Sequence, residues 1–208
     1  MKQQQDYIQD ISEIRSMMEK STKFLSLSGW AGIMAGVYAL IGAYLAYKVL
    51  YFNPHEIVYA SVSDGEYSDG MLKLAFLATA VLVLAISTAV FLSNRRAAKR
   101  NEKLWNATSR RLLANMSVPL AVGGILVLIL ISKGLIGLVA PMTLLFYGLS
   151  LFIAGRYTFE DVKILGLIQI SLGLLSAYFI GYGLLFWALG FGVAHIVYGI
   201  YVHFKYEK

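Results

Sequence analysis

Long uncharged runs alternate with short charged segments along this chain. Residues 24–47, 74–94, 112–132 and 134–155 carry no formal charge and are 21 to 24 residues long. That matches the ~20 residues a helix needs to cross ~30 Å of hydrocarbon. A fifth uncharged run, 164–204, is 41 residues long, too long for one helix, and is broken by Gly181-Tyr182-Gly183. It therefore reads as two spans joined by a tight glycine turn. The pattern predicts an all-α polytopic membrane protein of six transmembrane helices in three hairpins, with spans at about 24–50, 74–94, 112–132, 134–155, 162–180 and 184–204 and a short tail at 205–208.

Ahead of the first span, Tyr7, Ile11, Ile14 and Met18 recur at spacings of 4, 3 and 4 among acidic and basic neighbours. Residues 6–20 should form an amphipathic helix within a cytosolic or interfacial segment, 1–23. Its narrow seam must rest on the interface, the inner loops or a partner helix, because two heptads do not sustain a coiled coil alone. In the first span Gly29, Gly32, Gly36, Ala39, Ala43 and Ala46 share one face, predicting close helix packing. Pro119 and Pro141 should each remove a hydrogen bond within spans 3 and 4. Thr158 is expected to cap the helix of span 5, with Glu160 and Asp161 complementing its dipole.

Two spans carry isolated polar residues on faces of small side chains. Gly166, Gln169, Gly173 and Ser176 line one face of span 5; Ala188, Gly192, His195 and Gly199 line one face of span 6. Turned about Tyr182, the faces register as 166 with 199, 169 with 195, 173 with 192 and 176 with 188. Gln169 and His195 are thus expected to meet inside the membrane, where an amide beside a neutral imidazole satisfies two costly groups.

Composition reinforces this picture: 58% of the residues are hydrophobic, 14% are charged and there is no cysteine. That excludes a disulfide scaffold, thiol catalysis and thiolate metal sites. Charge sets the expected orientation. Lys and Arg concentrate in 1–23, 95–111, 156–163 and the tail, leaving Lys48, Lys73 and Lys133 elsewhere, so the positive-inside bias favours N-in, C-in. Arg95, Arg96, Lys99, Arg100, Lys103, Arg110 and Arg111 form a basic cluster just inside, a candidate contact for anionic head groups or a cytosolic protein partner. Nucleic acid is not an expected partner, because Trp105 is the lone aromatic of that loop.

Other signals are weak or absent. The polar start predicts no cleavable signal peptide. Asn106 and Asn115 match glycosylation sequons on the wrong side of the membrane. Residues 64–70 look like a calcium loop but place Asp69 where a glycine belongs and Ala75 where a glutamate belongs, so a solvated turn is expected. No Asp, Glu, Lys or Arg lies deep in a span, which disfavours coupled transport. Catalytic motifs are missing, and His55, His195 and His203 sit at different depths, so no enzyme, cofactor or metal is expected.

Residues 14–21 (IRSMMEKS), 24–30 (FLSLSGW) and 182–199 (YGLLFWALGFGVAHIVYG) resemble those of a group of small bacterial six-helix membrane proteins with no established activity. The resemblance implies a multi-pass protein of the bacterial inner membrane. The leading expectation is a non-enzymatic membrane protein with a scaffolding, sensing or partner-regulating role. The alternative is a permease for a neutral or apolar small molecule.

Overall fold

The computed structural model describes residues 28–49, 65–99 and 104–207. Every element among them is helical: α1 Gly29–Lys48, α2 Gly65–Lys99, α3 Ala107–Ser132, α4 Val139–Ala154, α5 Asp161–Tyr178, α6 Gly183–Trp187 and α7 His195–Tyr206. A 3₁₀ turn, Ile136–Leu138, precedes α4, and another, Ile180–Tyr182, joins α5 to α6. A π segment, Ala188–Ala194, links α6 to α7. Six helices are long and apolar enough to cross a membrane, the last being the composite Ile180–Tyr206.

Local chemistry explains both ends of α3. Asn106 caps α3: its side chain accepts from the Ser109 N–H at 2.8 Å, and the Ser109 hydroxyl accepts from the Asn106 N–H at 2.8 Å. This reciprocal box satisfies two otherwise orphaned donors. At the other end Gly134 has φ 72°, with Leu135 N–H bonding Leu130 O at 2.9 Å and Gly134 N–H bonding Ile131 O at 3.0 Å. That is a Schellman closure, and it needs the glycine. It makes the tight reversal between α3 and α4.

Three expectations change. Residues from Gly65 are helical rather than a solvated turn, so α2 runs 35 residues. No proline interrupts the sequence there, and helix propagation carries past the apolar run at both ends. Pro141 sits in the first turn of α4, after the 3₁₀ turn, where a missing N–H disturbs nothing. Thr158 does not cap α5, which starts at Asp161; its buried hydroxyl donates to Ala154 O at 2.9 Å and closes the end of α4.

The helices pack in the order α2, α1, sixth span, then α5 and α4, then α3. The α1 seam meets the sixth span antiparallel. A Cβ on Gly29 would lie 2.5 Å from Gly199 O, and one on Gly36 would lie 2.6 Å from Gly192 O. Such backbone contact is the main way helices gain by associating in lipid, where leaving the tails gains an apolar side chain little. Glycines of α4 and α5 do the same: a Cβ on Gly166 would stand 2.8 Å from Gly148 O. A core of Leu112, Leu151, Ala154, Phe159, Val162, Leu165 and Val202 joins α3, α4, α5 and α7 near one end. From Leu72 to Leu92, α2 has no buried residue.

Candidate functional site

The sixth span abandons α geometry at Ala188–Ala194, where Gly190 and Gly192 are buried. A π turn moves hydrogen bonds from i−4 to i−5 and leaves a carbonyl over where α geometry resumes. Here the His195 N–H goes to Gly192 O, and the Gly190 carbonyl takes side-chain donors instead. Gln169 Nε2 donates to it at 2.9 Å, and His195 Nδ1 lies 2.9 Å away. A carbonyl only accepts, so Nδ1 carries the imidazole proton. That leaves Nε2 to accept from the Tyr147 hydroxyl at 2.9 Å.

The resulting unit is Tyr147 OH to His195 to Gly190 O, with Gln169 joining at the carbonyl. Gln169 is fully buried and His195 is 6% exposed. Gln169 Nε2 and His195 Nδ1 come within 3.4 Å. Both donate to one acceptor, so the two residues meet through the Gly190 carbonyl rather than through an amide–imidazole bond. Phe191 stacks on His195 with centroids 5.9 Å apart and tilts against Tyr147 and Trp187 at 5.0 Å each. Gln169 Oε1 and the Ser176 hydroxyl are buried without a hydrogen-bond partner.

The four-pair register of spans 5 and 6 is corrected by the structure. Gly166 and Gly173 of α5 pack on α4, against Phe152 and Leu145, while Gly192 and Gly199 pack on α1, against Leu40 and Ile33. The sixth span lies between two partners, so its small residues divide between them. Of the register, contact at Gln169 and His195 is what the structure brings together. Tyr147 escaped the sequence reading. Its signal was the one tyrosine of an apolar span, whose hydroxyl needs a partner when buried.

A second polar assembly forms where α1 begins and α2 and α7 end. Glu207 Oε1 accepts from the Gly29 N–H at 2.6 Å and pairs with Arg96, while Oε2 lies 2.6 Å from His203 Nδ1. Arg96 also donates to Tyr206 O at 3.0 Å. Burial pushes the Glu207 carboxyl upward, but the His203 bond, the Gly29 N–H and the Arg96 charge outweigh it and hold it below its ordinary range. Nearby, Asp161 at the start of α5 accepts from Tyr206 OH at 2.7 Å, Lys205 Nζ at 3.1 Å and Tyr201 OH at 3.2 Å. Within the expected tail, Lys205 and Tyr206 continue α7, and this end is tied to α1, α2 and α5.

Within the basic cluster, Arg95, Lys99, Arg110 and Arg111 are exposed, whereas Arg96 turns into the Glu207 assembly. Arg100 and Lys103, and the seam of Tyr7, Ile11, Ile14 and Met18, lie outside the described residues. Among the described residues, no group of three His, Asp or Glu side chains is placed to hold a metal. The α1 face of Gly29, Gly36, Ala39, Ala43 and Ala46 is buried, with Gly32 half-buried against Gly199. No protein-family model, curated protein or solved structure matches the chain.

Proposed function

We propose that this chain is a non-enzymatic membrane protein that scaffolds, senses or regulates a cytosolic protein partner through the face bearing residues 1–23, 95–111 and 156–163. It sits in a bacterial inner membrane as three hairpins, with both termini in the cytosol. The observation that carries the reading is how polar groups are spent. Inside the membrane, Tyr147, Gln169 and His195 are turned onto one another and onto Gly190 O. At the end holding Glu207, Arg95, Lys99, Arg110 and Arg111 face outward. A permease would need its midplane polar groups presented to a cavity, whereas Gln169 is fully buried and His195 nearly so.

Orientation and partner are tested separately. The chain has no cysteine, so single cysteines report cleanly. One at Ser63 should react with an impermeant thiol reagent applied from outside, and one at exposed Ala98 should react only after permeabilisation; the opposite pattern inverts the protein. For the partner, purification from the native membrane should recover a protein that is lost when Tyr7, Ile11, Ile14 and Met18 are all changed to serine. The same proteins recovered with and without the seam would refute a partner bound through it.

A further inference from the structure

The helices α1 and α2 touch closely at one level and part at another. A Cβ on Gly42 would come within 2.8 Å of Val81 Cγ2, and Tyr38 OH bonds Thr88 Oγ1 at 3.3 Å. Beyond that bond, toward the start of α1, they separate and leave an open groove of about 510 Å³ lined by Trp30, Met34, Ser87, Thr88, Phe91 and Leu92. At the far end Glu207 bridges the Gly29 N–H to Arg96 and closes the gap. The result is a window, walled mainly by apolar side chains and open sideways where lipid tails lie.

Its rim is basic. Residues four apart on a helix share a face, so Phe91, Arg95 and Lys99 form one row that runs from the groove to the end of α2. The Arg95 guanidinium lies 4.7 Å from the Phe91 ring centroid, which fixes it over a groove wall. Arg95 and Lys99 are both exposed, while the next arginine, Arg96, is committed to Glu207 and the Tyr206 carbonyl. Apolar wall and cationic rim follow each other along one helix face, in the order of tail and head group in a lipid leaflet.

We propose that the α1–α2 window binds one anionic phospholipid, its acyl chain against Trp30, Met34, Phe91 and Leu92 and its phosphate on Arg95 and Lys99. The charge complementarity selects a lipid over an apolar helix, and an anionic head group over a zwitterionic one. This inference rests on the membrane placement of α1 and α2 and is independent of any protein partner.

Trp30 reads the site directly. With Trp105→Phe and Trp187→Phe, Trp30 is the remaining tryptophan. In phosphatidylcholine vesicles, phosphatidylglycerol with dibrominated chains should quench Trp30 at a mole fraction about thirty-fold below that of dibrominated phosphatidylcholine, as ~1 kcal/mol from each of the two basic residues implies. Arg95→Gln with Lys99→Gln should abolish that preference, and Ser87→Phe should lower quenching by both lipids. The unmodified chain offers a second readout: native mass spectrometry should retain one phosphatidylglycerol, and the Arg95→Gln, Lys99→Gln variant should lose it. Equal quenching by both head groups, a preference surviving loss of both cations, or no quenching because another segment fills the groove would each overturn the proposal.

Discussion

The Gly190 carbonyl is the residue-scale centre of the molecule, because three side chains from three spans depend on it directly or through His195. A methyl group at 190 would stand 2.4 Å from Gln169 Oε1 and 2.5 Å from Leu144 Cδ2. Gly190→Ala should therefore lower stability in detergent by roughly 1–3 kcal/mol, the usual penalty for overpacking. His195→Ala and Gln169→Ala each leave the Gly190 carbonyl one donor, and only the double variant orphans it, so the double variant should lose more than the sum, with a coupling of about 0.6–2 kcal/mol in thermal melts. Strict additivity would mean that the two side chains act on separate partners. Tyr147→Phe should remove the donor to His195 Nε2 and leave the Gly190 bonds intact, a smaller loss than His195→Ala.

Element ends respond to different chemistry. The Asn106–Ser109 box should make Asn106→Ala cost about 1 kcal/mol, measured by denaturation in detergent, while Asn115→Ala, whose bonds are exposed, should cost less. Sequence showed Asn106 as part of a sequon; its position just before a helix is what makes it a cap. Thr158 had the opposite fate. Its residue type suits a cap, but the chain turns through 155–160, and the hydroxyl reaches back to Ala154 O before α5 begins. Local propensity could not decide between the helix behind and the helix ahead.

At the scale of the molecule, α7 is fastened at its end to α1, α2 and α5 through Glu207 and the Asp161 cluster. The Glu207 carboxylate has a native pKa below its ordinary 4.5. Its stabilising contribution is complete above that ordinary value and is lost as pH falls through the depressed native value. Thermal melts should therefore show a drop in stability on acidification below pH 4.5 that is smaller in Glu207→Gln, whose melting temperature at neutral pH should already be lower. An equal acid drop in both proteins would assign the effect to other carboxylates.

Sequence alone determined the six apolar helices, because span length follows from bilayer thickness and each uncharged run is long enough to satisfy its own backbone. It also marked the small-residue face of α1 and singled out Gln169 and His195, since a polar side chain in an apolar span must find a partner. Periodicity says which residues share a face but not which neighbour that face meets. Only the packing decided that Gly192 and Gly199 of the sixth span serve α1 while Gly190 and His195 serve α4 and α5. The π segment, whose freed Gly190 carbonyl takes Gln169 and His195, belongs to the same tertiary decisions. So do Tyr147 at His195 and Glu207 at Gly29, residues 48 and 178 positions apart, because contacts that distant in the chain leave no trace in local pattern.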